Sequence, residues 1–290
     1  MPFARNGEVE LYYEGLGDAS APAVLLLNGA ARQLIDSPDA YCDLLIAHGF
    51  RVIRLDQRDT GRSTGFAGTP SRLVEVAAGD VSAVAYGTDA MAQDALAVLH
   101  AAGVGRVHLF GRSLGGFVAQ LLALDHPARV LSMTIAMAFS RSIGGSINPE
   151  RLAQLESERF ADGETFAARQ VATARALGNP DYFDKEAIRA AALAAFARGV
   201  PEGSFGRHFA AGIAAPDLRA RLAALRLPVQ LIHGPIDKVI PLELARETES
   251  AIPGAKLAIL DDMAHEAPPQ LWDRWTRLFA ANAAHSIEKT

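Results

Sequence analysis

The segment Gly111-Arg112-Ser113-Leu114-Gly115-Gly116 sets a serine in a Gly-x-Ser-x-Gly frame. It directly follows the apolar run Val107–Phe110 and directly precedes a helical pattern, Phe117 to Leu124. A strand-to-helix turn this tight forces the serine into strained dihedrals and presents its hydroxyl at the sheet edge, while the glycines allow close backbone approach. The helix N-terminus behind it favours developing negative charge. The chemistry such a serine does is nucleophilic attack on a carbonyl, provided that a base takes its proton and a carboxylate orients the base.

In chains built around this turn, the acid and then the base follow the nucleophile in sequence. Of eight histidines, His48, His100 and His108 precede Ser113. His126 sits in an Asp-His-Pro helix end and His285 in the polar C-terminal tail. His208 and His233 also follow the serine, but only His265, in Leu260-Asp-Asp-Met-Ala-His265, lies in a loop soon after the last strand pattern. His265 is therefore the expected base. The acid should occupy the loop after the preceding strand, Gly234-Pro-Ile-Asp237-Lys-Val-Ile-Pro241, which selects Asp237, 28 residues before His265. Asp261 and Asp262 compete, but each would have to fold back to reach the imidazole.

Acyl transfer builds charge on the carbonyl oxygen, and preorganised N–H donors stabilise it by roughly 2.7–4 kcal/mol each. One donor is expected to be the backbone N–H of Leu114, the residue after the nucleophile. The other should come from the loop Asn28-Gly-Ala-Ala31 after the run Val24–Leu27, with Ala30 favoured and Gly29 or Ala31 as alternatives.

These loops need a scaffold of alternating strands and helices. Val9–Tyr13, Val24–Leu27, Val52–Leu55, Val107–Phe110, Met133–Ala136, Val229–His233 and Leu257–Leu260 read as strands. Ala40–His48 and Met91–Ala101 carry helical spacing between them. The alternation predicts an α/β fold, a mostly parallel sheet flanked by helices. Residues 141–225 break the rhythm. They open at Gly144-Gly145 and read as helices over Glu150–Phe160, Gly163–Leu177, Asp184–Ala197 and Asp217–Leu225. Gly199, Pro201, Gly203 and Gly206 interrupt the pattern. This predicts one core domain, 1–140 with 226–290, and an inserted helical cap over 141–225.

Composition narrows the classes of function. The chain has 290 residues, 50% hydrophobic and 21% charged, with a net charge of −5. That balance disfavours nucleic acid and anionic membrane surfaces. A single cysteine, Cys42, excludes an intrachain disulfide and a cysteine-rich metal site, and the histidines lack metal-ligand spacing. No dinucleotide or Walker motif is present, so no cofactor and no metal are expected. The N-terminus lacks the apolar run of a secretory signal, and no run approaches a membrane span, which predicts a cytoplasmic protein.

These residues resemble the α/β-hydrolase superfamily over essentially the whole chain. The segment Asp56-Gln-Arg58-Asp59-Thr-Gly61-Arg62-Ser63-Thr64 is similar to that of the anthracycline (aclacinomycin) methylesterases. The turn itself reads as structural, held by pairing of Arg58 with an aspartate. Leu124-Asp-His-Pro-Ala-Arg129 adds to the likeness. The resemblance implies a cofactor-free serine carboxylic-ester hydrolase with a small-molecule ester and water as partners, acting on a methyl ester of an apolar or aromatic, polyketide-like molecule. A pocket for it is expected from Gly29, Met137, Phe139, Phe160, Tyr182, Phe183, Phe209 and Ile236. Two departures stand out: Ala30 replaces a second glycine in the oxyanion loop, and Asp262 puts an extra carboxylate near the base. Alternatives using the same triad are C–C bond (meta-cleavage product) hydrolysis, enol-lactone hydrolysis and cofactor-free perhydrolysis. Glu266 stands where the C–C hydrolases place tryptophan. A non-catalytic binding protein on the same fold is the alternative from another class. Oligomeric state is left open by the sequence.

Overall fold

In the computed structural model, which describes residues 2–142 and 148–286, eight strands form one sheet. They are β1 (Phe3–Asn6), β2 (Val9–Leu16), β3 (Ala23–Leu27), β4 (Arg51–Leu55), β5 (Val107–Arg112), β6 (Val130–Ala136), β7 (Val229–His233) and β8 (Lys256–Ile259). Their order is β1-β2-β4-β3-β5-β6-β7-β8, with β1–β2 and β2–β4 antiparallel and the rest parallel. β1 is an element the sequence pattern did not announce. Its four residues pair only as a hairpin with β2, and so short a segment carries too little periodicity to be read alone.

The helices are α1 (Asp39–Ala47), α2 (Leu73–Ala77), α3 (Thr88–Ala101), α4 (Leu114–Asp125), α5 (Pro149–Ser157), α6 (Gly163–Leu177), α7 (Lys185–Arg198), α8 (Ser204–Ile213), α9 (Arg219–Leu222), α10 (Leu242–Ala251) and α11 (Pro269–Ala284). β3, β5 and β7 are buried along their whole length because both sheet faces are covered. One face packs Leu25, Leu109, Met133 and Leu231 against Val98, Phe117 and Val118 of α3 and α4. The other packs Val24, Phe110 and Ile232 against Tyr41 of α1 and Trp275 and Phe279 of α11.

Between β6 and β7 the chain is helical, with α6 and α7 paired and α5 and α8 packed on α2. Leu73, Val76, Leu152, Leu155, Ala210 and Ile213 form a separate apolar cluster there. Gly144-Gly145, expected to open this block, lies outside the described residues. Helix α8 corrects the sequence reading, which took Gly203 and Gly206 as interruptions. Gly203 has φ +74 and caps the helix, while a Cβ on Gly206 would stand 2.8 Å from Ser71 Cβ. The glycines therefore start the helix and let it dock closely, a tertiary cause the local pattern does not carry. The helix expected to reach Phe160 stops at Ser157, and that expected over Asp217–Leu225 is limited to Arg219–Leu222.

Candidate active site

Parallel strands point their C-terminal ends the same way. The loops after β3, β5, β7 and β8 therefore meet at one edge of the sheet, where α/β folds bind ligands.

β5 runs straight into α4 through Ser113, whose φ of 51° and ψ of −122° are unusual for any residue with a Cβ. Its N–H donates to the Ala136 carbonyl at 3.0 Å. The glycines of the turn are there for space. A Cβ on Gly111 would lie 2.5 Å from the Gly115 carbonyl oxygen, and one on Gly115 would lie 2.2 Å from that of Leu27. On Gly116 it would meet Ala138 Cβ at 2.5 Å.

The imidazole of His265 reaches Ser113 Oγ with Nε2 at 3.1 Å and Asp237 Oδ2 with Nδ1 at 2.8 Å. A carboxylate only accepts, so Nδ1 carries the proton and Nε2 faces the hydroxyl as a base. Asp237 Oδ1 accepts from the N–H groups of Val239 and Ile240 at 2.8 and 2.9 Å, which fixes the carboxylate plane. Burial pushes the Asp237 carboxyl up, but the hydrogen bond and charge of His265 and the two backbone donors outweigh it, leaving the group below its ordinary value. The loops that carry Asp237 and His265 are seated together at Gly234, where a Cβ would fall 1.8 Å from the Met263 carbonyl oxygen. Asp262 turns away from His265. Its carboxylate takes the guanidinium of Arg274 and the hydroxyl of Tyr182. The Arg274 guanidinium is the main reason that carboxyl is held down to about 2.

The loop after β3 is held by three polar side chains the sequence reading did not select, Asn28, Arg112 and Gln57. Asn28 Nδ2 donates to the Gln33 carbonyl at 2.7 Å, and Asn28 Oδ1 accepts from Ser37 Oγ at 3.0 Å and from Arg112. Arg112, directly before Ser113, also donates to the Asp36 carbonyl at 2.8 Å and to Ser37 at 3.0 Å. Gln57 Nε2 donates to the Asn28 carbonyl at 2.7 Å. Gly29 abuts the serine, since a Cβ there would stand 3.3 Å from Ser113 Cβ. The N–H of Ala31 is already committed to His208 Nδ1 at 3.0 Å, which leaves Gly29 and Ala30 as the candidate donors on this side. Leu114 follows as the first residue of α4.

The turn 56–64 ties together α3 and two of the helices between β6 and β7. Arg58 grips Asp94 of α3 at 2.6 and 2.8 Å. Asp56 accepts from Arg198 of α7 at 2.6 Å, and Asp59 from Arg207 of α8 at 2.6 and 2.9 Å. The other expected pocket residues are more scattered. Met137 directly follows β6 with φ 45°, and buried Phe139 packs on Phe117. Phe160 meets Phe166 edge-on, Arg175 lies over Phe183, and Phe209 stacks on Phe205. Ile236, beside Asp237, is 40% exposed. Among the described residues no cluster of potential ligands fits a metal ion. Nor is any described helix long and apolar enough to cross a membrane.

A family model for the alpha/beta hydrolase fold matches residues 22–270. The chain is 32% identical over 315 residues to rhodomycin D methylesterase DnrP of Streptomyces peucetius, covering 98% of this chain and 97% of that one. It is 32% identical over 313 residues to rhodomycin D methylesterase DauP of Streptomyces sp. strain C5, with the same coverage. Among solved structures, the enol-lactonase from Burkholderia xenovorans LB400 superposes with a TM-score of 0.80 at 22% identity, covering 98% of this chain and 100% of that chain. At that identity the likeness is one of fold.

Proposed function

The chain belongs to the alpha/beta hydrolase fold family and is a carboxylic-ester hydrolase, and on that premise we propose that Ser113, His265 and Asp237 are its catalytic triad. The observation that supports this most directly is the unbroken relay Ser113 Oγ, His265, Asp237 at 3.1 and 2.8 Å.

Ser113 Oγ attacks the ester carbonyl as His265 Nε2 takes its proton. Asp237 keeps the imidazole in the productive tautomer and stabilises the imidazolium. The oxyanion rests on the N–H groups of Leu114 and Ala30, at the positive end of α4. His265 then protonates the departing alkoxide, leaving an acyl-serine. Water, deprotonated by the same imidazole, releases the acid and restores the hydroxyl. No step calls for a metal or cofactor.

For substrate, the reading is a methyl ester of an aromatic, polyketide-like acid, processed in the cytoplasm. It draws support from the two rhodomycin D methylesterases matched over nearly their whole length. Gly29, Met137, Phe139, Phe160, Tyr182, Phe183, Phe209 and Ile236 are assigned to the pocket, and the helices between β6 and β7 to a cap on the core. The test is a panel of aromatic methyl esters, enol-lactones and meta-cleavage dienones followed by mass spectrometry. Methyl ester hydrolysis that Ser113→Ala abolishes is the expected result. Turnover confined to lactones or dienones would overturn the substrate assignment, and full activity of Ser113→Ala would overturn the triad.

A further inference from the structure

His208 lies in α8, at the heart of the cap, and is fully buried. Its Nε2 stands 2.8 Å from the Arg58 carbonyl oxygen, which can only accept, so Nε2 carries the proton. Nδ1 is then an acceptor, and the Ala31 N–H fills it at 3.0 Å. The ring sits edge-on to Tyr86, 5.7 Å between centroids, and the Tyr86 hydroxyl donates to Asp59 at 2.9 Å. The charged groups around it, Arg58 and Arg207, are paired with Asp94 and Asp59. Burial pushes the His208 imidazole below its ordinary value, which favours the neutral form this pairing needs.

The partner of this imidazole is an unusual piece of backbone. Ala31 has φ 54°, a left-handed conformation that a residue with a Cβ adopts only when its surroundings impose it. Fixing its N–H fixes the peptide plane that begins at Ala30; the preceding plane, which carries the Ala30 N–H, is held at the Gly29 carbonyl by the Arg32 N–H at 3.2 Å, so the two anchors together set the angle between the planes. Two donors side by side in a loop would otherwise both compete for the oxyanion from poor angles. We propose that His208 is a positioning residue for the oxyanion hole: its Nδ1 takes the Ala31 N–H, so that the Ala30 N–H alone is presented to the developing charge. It touches no reacting atom. The cap thereby becomes part of the catalytic geometry, and a cap that lifts takes the acceptor with it. The proposal rests on the assignment of Ala30 and Leu114 as oxyanion donors to a Ser113-bound intermediate.

The test is the pre-steady-state burst of p-nitrophenolate from p-nitrophenyl acetate, which separates the acylation rate from ester binding. His208→Leu removes both hydrogen bonds and is expected to lower the acylation rate tenfold or more, with ester Kd changed less than threefold. That is less than the 10²–10³ of a deleted donor, because the Ala30 N–H is misaimed and not removed. His208→Asn and His208→Gln decide the matter even if the leucine variant does not fold. Asn sets Oδ1 where Nδ1 stood and is expected to recover most of the rate, while Gln reaches only towards Arg58 and is not. Equal rates for Asn and Gln, whether high or low, would overturn the proposal, as would a change in Kd instead of rate. Ser113→Ala in the same assay keeps the premise separate. A surviving burst there defeats the triad, whereas a dead Ser113→Ala beside a fully active His208→Gln defeats only the role of His208.

Discussion

Replacing Arg207 by methionine should destabilise the protein more than any other single substitution where the helices between β6 and β7 meet the rest of the fold. The guanidinium is 1% exposed and makes four hydrogen bonds: 2.6 and 2.9 Å to the Asp59 carboxylate, 2.7 Å to the Thr69 carbonyl and 2.7 Å to the Glu202 carbonyl. Methionine fills much of the volume, so the loss is electrostatic. Asp59 would keep only the Phe66 N–H and the Tyr86 hydroxyl, both at 2.9 Å, while remaining fully buried. Breaking a buried pair from one side typically costs about 3–5 kcal/mol, because the survivor is an uncompensated charge. At about 2–4 °C per kcal/mol, that lowers Tm by roughly 10 °C. Asp59→Asn is the matching single variant; the amide also suits the positive φ of 66° at this position. In the double variant neither charge is buried, so its loss should fall short of the sum of the singles by at least about 2 kcal/mol. Urea unfolding should be followed by two probes. Tryptophan fluorescence reports α11, which carries Trp272 and Trp275, whereas far-ultraviolet circular dichroism also counts the helices between β6 and β7. If the pair holds those helices to the sheet, Arg207→Met moves the dichroism transition ahead of the fluorescence one. A loss below about 1 kcal/mol, or strictly additive singles, would refute the reasoning.

Three other substitutions probe the site and its support. In Asp237→Asn, Oδ1 stays with the N–H groups of Val239 and Ile240, so Nδ2 faces His265 and imposes the wrong tautomer. A fall of about 10⁴ in kcat with little change in Tm is expected from ester kinetics and thermal melts. Gly115→Ala drives a Cβ to within 2.2 Å of the Leu27 carbonyl oxygen and 2.4 Å of that of Asn28, displacing the oxyanion loop. Its kcat/KM should drop by about 10² or more, and a crystal structure should show that loop moved. His108 is buried, and burial first, then the nearby Arg106 charge, lowers its imidazole to about 4. From pH 6.5 down to 4 the unfolded chain therefore binds a proton the folded one does not, and stability is lost as pH falls, by about 3 kcal/mol from this group. Urea midpoints against pH should show that slope, and His108→Asn should flatten it.

The helices between β6 and β7 are fastened to both halves of the site. Near the base loop, Asn179 donates its N–H to Glu266 at 2.6 Å and its Nδ2 to the Asp262 carbonyl at 2.8 Å. Near the loop after β3 the fastening is His208. Arg198 and Arg207 anchor the same helices to the turn 56–64, which gives that polar motif a structural purpose beyond the pairing of Arg58 with Asp94.

Chemistry that depends on local order along the chain was legible in the sequence. Gly-x-Ser-x-Gly between a strand and a helix describes one turn, and that turn sets the Ser113 backbone. The short apolar runs and the helical runs between them announced seven of the eight strands and the parallel sheet, because a buried parallel strand must be apolar throughout. That order in turn put Asp237 and His265 after successive strands, at the same edge as the serine. What the sequence could not supply was anything set by approach between distant segments. Gly206 reads as a break because its reason, the close approach of α8 to Ser71, lies some 135 residues away. His208 was one downstream histidine among several until α8 carried it to Ala31, 177 positions earlier in the chain. Arg112 and Asn28 were neighbours of motifs until folding set one against the other. Asp262 seemed an added charge beside the base until Arg274 and Tyr182 took it. A backbone turn is decided by the residues within it, whereas the partner of a buried polar side chain is decided by whichever distant group the fold presses against it, because burial leaves that group no water to choose instead.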